Sequence, residues 1–299
     1  MEQVLQRVAV TGRGVLLPQG RTPAALGAFR AQLGRRGALP RLDDFRAADY
    51  IAHPKLLRVM QRTFALTAAA AVLAMREAGV GDGAALAGRY PDPARCGVAV
   101  AMADISPLTP DLIETLRSSL TDGELDLERF GETARHRLHP FRRLSLLANM
   151  AAAHISLLFG LQGPSYTLTS GGEAGAQCVR EAYWTIAEGG ADLMVCAAAD
   201  SPDYALSPSP VAEAGGSLVL ENLERAAARG ATVLAELQER PDSGADSGAA
   251  GTASAAAWGR CPGSGSLLAI LAAHEAGDNH PAGSGLQLVR ADQPPAVRS

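Results

Sequence analysis

Apolar and polar positions alternate along this chain in two periods. Strand-like runs fall at 7–11, 97–102, 165–169, 192–198, 216–220 and 285–290. Helical spacing of apolar residues falls at 22–34, 55–79, 110–120, 146–158, 173–188, 222–229 and 265–274. Strand followed by helix, repeated, predicts an α/β protein with a mixed or parallel sheet. Thr109-Pro110 suits the N-cap and first position of the third helix. On that helix Leu112, Leu116 and Leu120 recur every four residues with Ile113 beside them, forming one apolar face whose plain reading is core packing. The Ser/Gly/Ala-rich stretch 241–256 reads as a flexible linker or exposed loop. It separates a larger part, 1–240, from a short tail, 257–299.

One junction concentrates the candidate chemistry. Gly163 to Glu181 reads GPSYTLTSGGEAGAQCVRE. Tyr166 to Thr169 is β-rich, Ser170-Gly171-Gly172 is a tight turn, and helical spacing runs from Glu173 to Ile186. A strand, a sharp turn and a helix N-terminus stabilise negative charge, which suits a nucleophile or an oxyanion. This turn holds no thiol and no aligned base. Ser170 and Glu173 instead have the spacing of a capping box, in which hydroxyl and carboxylate satisfy backbone amides.

Asn149 to Ser156 (NMAAAHIS) and Phe159 to Thr167 (FGLQGPSYT) resemble the core signature of the β-ketoacyl-carrier-protein synthases, condensing enzymes of thiolase-like fold. In that family the signature runs without a gap into T-A-C-A-S-G, where the Cys carries the acyl chain. The same reading puts Ser170 at the Thr, Gly171 at the Ala and Gly172 at the nucleophilic Cys. Arg7 to Gly14, Phe45 to Gly79, Gly190 to Asp200 and Ala212 to Gly230 resemble further family blocks, so the resemblance covers about residues 5–238. It implies a layered α-β-α-β-α fold with a shortened C-terminal half. The family's two C-terminal His blocks and its G-F-G-G block are unmatched. Gly259 to Gly277 faintly resembles the helix after the second His, with Cys261-Pro262 near the place of that His. Gly285 to Ala291 resembles the closing strand.

Composition narrows the function classes. The chain has 299 residues, 47% hydrophobic and 19% charged, with a formal net charge of −4. Without a basic run or abundant aromatics it does not look like a nucleic-acid surface. Lys55 is the only lysine. No signal peptide is visible, and the apolar run near Leu66 to Met75 is too short to span a bilayer. A cytoplasmic protein without membrane or nucleic-acid partners is therefore expected. The scattered Cys96, Cys178, Cys196 and Cys261 have no metal-ligand spacing, and Cys178 and Cys196 read as buried free thiols.

Other chemistries fare poorly. Cys178 lies about one and a half turns into its helix, pointing away from the turn. Ser170 would need a base such as His154, yet no G-x-S-x-G elbow exists, and a lone His on an Ala-rich helix is more often structural. His136 and His139 lack a third ligand. Arg135 to Arg143 reads as a basic exposed loop that could alternatively meet an acidic carrier protein. No cofactor and no metal are expected.

Members of the family that keep the fold but lose the nucleophile are chain-length factors of type II polyketide synthases. The resemblance therefore implies a non-catalytic subunit that pairs with a catalytic ketosynthase, receives acyl carrier protein, and shapes the acyl tunnel. The usual residue at the Cys position of such factors is Gln, and here it is Gly172. Short, degenerate partners of this kind resemble those accompanying ketosynthases that make reduced or polyene chains. The tunnel candidates are Leu108, Leu112, Ile113 and Leu116, with Met102 and Phe130. Tyr166, Thr167, Leu168 and Thr169 form the implied inter-subunit strand. The alternatives are a malonyl-carrier-protein decarboxylase, which still wants the His pair, and a purely structural pseudo-enzyme.

Overall fold

Three strands of this chain are buried along their whole length, which requires a sheet covered on both faces. The computed structural model describes residues 5–35, 37–81, 86, 88–90, 92–102, 110–138, 144, 147–202, 210–239, 258, 260–276 and 286–290. Their order is β1 (Val8–Leu16), α1 (Leu26–Leu33), α2 (Pro54–Leu57), α3 (Arg62–Glu77), β2 (Cys96–Ala101), α4 (Pro110–Ser118), β3 (Leu120–Thr121), β4 (Glu124–Leu125), α5 (Leu127–Arg137), α6 (Asn149–Phe159), β5 (Ser165–Leu168), α7 (Ala174–Ala187), β6 (Leu193–Asp200), β7 (Ala214–Asn222), α8 (Leu223–Ala228), β8 (Ala235–Glu239), α9 (Gly265–Ala276) and β9 (Leu286–Arg290).

Seven strands form one mixed sheet in the order β5-β2-β6-β7-β1-β8-β9. β5, β2 and β6 run parallel; the remaining neighbours pair antiparallel. α3 and α6 pack on one face, in a cluster that includes Phe64, Met75, Ile155 and Phe159. α1, α7 and α9 cover the other with Phe29, Val179, Ile186, Leu267 and Leu271. The described residues thus form one α-β-α sandwich. α9 is apolar almost all round and buried, and the Phe29 and Trp258 rings lie 6.1 Å apart in that layer. α3 sits unusually close to β1: a Cβ on Gly12 or Gly14 would run into the carbonyl oxygens of Ala74 or Ala70.

Among the described residues, three carboxylates with no exposed surface mark the ends of the sheet. Glu213, just before β7, accepts from Arg62 Nε at 2.6 Å, the Leu42 amide at 2.8 Å and Ser201 Oγ at 2.8 Å. Burial alone would raise its pKa; these bonds more than reverse that and hold it below the ordinary carboxylate range. At the other end of β7, Glu221 pairs with Arg229 at 2.5 Å and accepts from Thr11 and Tyr90. Asp200, the last residue of β6, is fully buried. Its Oδ1 accepts from the Gly263 amide at 2.9 Å, and its Oδ2 from the Ser264 amide at 2.7 Å and Ser264 Oγ at 2.6 Å. A carboxylate at the start of α9 also complements the helix dipole. This single side chain fastens the C-terminal helix to the sheet.

Several sequence expectations need correction. The segment 55–79 is two helices, because the backbone becomes extended at Gln61, the N-cap of α3. Residues 135–137 are not loop but the last turn of α5. That helix starts at Asp126, whose side chain accepts from the Glu128 and Arg129 amides at 3.0 Å, and its terminal Arg/His residues suit the dipole there. Strand β8 and the β3–β4 hairpin were not expected; the hairpin turns at Asp122-Gly123, both with positive φ. The stretches 139–143 and 241–256 lie outside the described residues.

Replacing Asp200 by Ala leaves two buried amides unpaired. It should cost about 3 kcal/mol in urea unfolding, and Asp200→Asn, which keeps one acceptor, clearly less.

Candidate functional site

Because β2, β5 and β6 are parallel, their C-terminal ends open on the same side of the sheet, where α/β proteins place their ligands. Three features follow these strands: Met102 after β2, the turn Ser170–Glu173 after β5, and the Asp200 clamp after β6. Met102 is buried, and its amide donates to the Leu168 carbonyl at 2.9 Å.

The turn is built for close backbone approach. Gly171 has φ +63°, and Gly171–Glu173 form one 3₁₀ turn leading into α7. The expected capping box does not form. Ser170 lies a full turn ahead of Ala174 with φ −92° and ψ 32°, so its hydroxyl cannot reach the helix amides; Oγ donates to Gln177 Oε1 at 2.6 Å. Ser266 on α9 takes over part of the capping, accepting the Ala176 amide at 3.0 Å. Gly175 is required by this contact, since a Cβ there would lie 2.7 Å from the Leu267 amide nitrogen. At Gly172 the opposite holds. The residue is exposed, and a Cβ would meet no atom within 4 Å. A helix N-terminus with an open approach is present, and no reactive side chain occupies it.

The thiols stand elsewhere. All four cysteines are buried. Burial pushes the Cys196 and Cys261 thiols well up and Cys96 up to about 12, which leaves them protonated at neutral pH. Cys178 packs inside the α7 face of the core. His154 belongs to α6 on the opposite face of the sheet, 6.0 Å from the Phe64 ring, and is not bonded to Ser170. It is 1% exposed, neither ring nitrogen has a hydrogen-bond partner, and burial lowers its pKa. His136 is exposed on α5, and His139 lies outside the described residues. No group of three or more potential metal ligands exists among the described residues.

The tunnel candidates collect on an arm. α4 and α5 pack chiefly on each other, joined by the hairpin. Leu112, Ile113, Leu116 and Phe130 are half-buried there, while Leu120, Leu125 and Leu127 are exposed, Leu127 by 74%. Leu108 lies outside the described residues. Tyr166, Thr167 and Leu168 lie on β5, which among the described residues pairs only with β2 and ends the sheet; Thr169 follows it, exposed. The Tyr166 hydroxyl is 3.3 Å from Thr185 Oγ1. Asp200, Ser264 and Ser266 were missed from the sequence. The available signal was one acid closing an otherwise apolar strand.

The family model described as β-ketoacyl synthase, N-terminal domain, matches residues 28–215. The chain belongs to this family. It is 31% identical over 206 residues to Nodulation protein E of Rhizobium leguminosarum bv. trifolii, covering 61% of this chain and 47% of the relative. It is 27% identical over 276 residues to 3-oxoacyl-[acyl-carrier-protein] synthase 2 of Vibrio harveyi, covering 78% of this chain and 61% of that one. The chain thus spans about half the length of these relatives. A solved type II polyketide synthase acyl-carrier protein in complex with its ketosynthase bound to the hexaketide superposes with a TM-score of 0.63 at 20% identity, covering 92% of this chain and 84% of that one; it shows the fold alone. The ishigamide ketosynthase/chain length factor superposes with a TM-score of 0.58 at 25% identity, covering 79% and 64%. No helix among the described residues is long and apolar enough to cross a membrane.

The open turn has a direct test. Gly172→Cys should fold normally and alkylate with iodoacetamide at pH 7 at least about tenfold faster than the four buried thiols, since a helix N-terminus lowers a thiol's pKa. Peptide mass mapping locates the label; labelling no faster than at the buried cysteines would contradict an open turn.

Proposed function

We propose that this protein is a non-catalytic ketosynthase-like subunit of a type II polyketide synthase, pairing with a catalytic ketosynthase and helping to enclose its acyl chain. The observation that supports the reading is Gly172: in the ungapped reading of the family signature it would stand at the nucleophile, and it is exposed, with a Cβ there meeting no atom within 4 Å, at a turn that carries no thiol or imidazole. Condensation needs an activated thiolate and imidazole groups. None of the described histidines is bonded to this turn, and the described thiols are buried and pack elsewhere. The domain reading, 1–240 as ketosynthase-like half and 257–299 as a reduced second half, belongs to the same proposal.

Two features support pairing. Among the described residues, no strand pairs the outer edge of β5, and soluble proteins ordinarily cover such an edge. The α4–α5 arm exposes leucines that nothing in the described fold covers. In this reading β5 supplies the subunit interface, the arm reaches the partner, Leu112, Ile113 and Leu116 set the depth of the tunnel, and acyl carrier protein docks on the complex.

Co-expression with a catalytic ketosynthase from the same gene neighbourhood, followed by size exclusion with light scattering, tests the pairing. A 1:1 complex is expected, with poor solubility of this chain alone. A well-behaved monomer or homodimer indifferent to the ketosynthase would sink the reading, and release of CO2 from malonyl carrier protein would then favour the decarboxylase. With a complex in hand, Leu112→Ala and Leu116→Ala should lengthen the product. Unchanged products from both, read by mass spectrometry, would remove the arm as the ruler.

A further inference from the structure

β8 pairs with β1 only over Val8–Val10, and β1 is irregular between Val10 and Gly12. Beyond that point no described strand flanks this side of β1. Arg13 stands at the open stretch and reaches both helical layers. Toward α3, its Nη2 lies 2.9 Å from Glu77 Oε1. Toward α9, its Nη1 lies 3.3 Å from Glu275 Oε2 and 3.3 Å from His274 Nδ1. The other ring nitrogen of His274, Nε2, lies 3.3 Å from the Leu234 carbonyl oxygen. A guanidinium only donates and a carbonyl only accepts. These two contacts therefore select one neutral tautomer, with the hydrogen on Nε2 and the lone pair on Nδ1.

We propose that His274 is a proton-sensitive latch on the C-terminal helix: neutral, it fastens the last turn of α9 to β1 and to the segment entering β8, and its protonation releases that turn. A proton added at Nδ1 points an N–H at the Arg13 guanidinium and abolishes the bond it accepted. The groups facing the ring are Arg13 from β1, with Glu77 of α3 behind it, Arg290 from β9, the Leu234 carbonyl, and Glu275 on α9 itself. His274 is 6% exposed, and burial is the largest influence, lowering its pKa; Arg13 and Arg290 push the same way, the Leu234 carbonyl and Glu275 oppose, and the net direction is down. A released ring titrates near about 6.5. The closed state thus binds the proton less well than the open one, so the fastening is complete above that pH and weakens as pH falls. The opposite end of α9 carries Ser266, which holds the Ala176 amide, so the latch also bears on the Gly171–Glu173 turn.

Hydrogen exchange of the full chain at pH 7.5 and 5.5, corrected for intrinsic exchange, tests the latch. The last turns of α9 should lose protection between these pH values, by up to about tenfold at one pH unit below the free-imidazole value, while β6 holds. His274→Gln retains an acceptor for Arg13 and a donor for Leu234 and should abolish the difference. His154→Leu, which removes the other buried neutral imidazole, should leave the α9 response intact. A flat α9 profile in the native chain overturns the proposal even if the variants fold poorly. A response that persists in His274→Gln, or vanishes in His154→Leu, overturns it equally.

Discussion

The Asp200 carboxylate organises the end of the sheet where the family's chemistry would lie. Burying a charge costs several kcal/mol unless it is matched by donors. Burial still leaves the Asp200 pKa raised, so its donors offset that cost only in part; they come from residues 63 and 64 positions further along the chain, and the side chain therefore favours the docking of α9 that supplies them. Once α9 is in place, Ser266 meets the first turn of α7, and the helix that follows the turn is fixed. Strand β6, helix α9, helix α7 and the Gly171–Glu173 turn form one mechanical series. The turn keeps its geometry through this series even though no reactive side chain sits on it.

The rest of the core relies on close approach more than on bulk. Alanines on α3 face glycines on β1, so backbone packs nearly on backbone, and the large side chains go to the flanks. On the other face α9 is buried all round beside α7, and α1 lies against the same layer through Phe29. A chain that spans about half of its relatives' length still encloses both faces of its sheet.

Much of this was legible in the sequence. Most long apolar runs are legible as the right kind of element: strands buried on both faces read as short continuous apolar runs between turn residues, and the Ala-rich run is too long for a strand. The strand–turn–helix at Gly163 to Glu181 was also readable, since its glycines can serve few other purposes. The failures share a cause. β8 reads AELQE, and five residues with two acids carry too little apolar signal for a strand that hydrogen-bonds place between β1 and β9. α5 was hidden by its basic end, although Asp126 and the spacing of Leu127, Phe130 and Ala134 marked it. The capping box failed because a 3₁₀ turn intervened between Ser170 and the helix, which spacing alone does not reveal. Asp200 and Ser264 belong together only in three dimensions.

The strand order also separates two borders of the molecule. Val8, Leu237 and Leu288 stand in one row across β1, β8 and β9, so Val8 and Leu288 lie about 10 Å apart. β5 is six strand spacings from β9, about 29 Å away. The β8–β9 side of the sheet therefore stands far from β5, whose outer edge no other described strand pairs. A strand added along β5 would lengthen the sheet at one margin and leave the β8–β9 margin undisturbed.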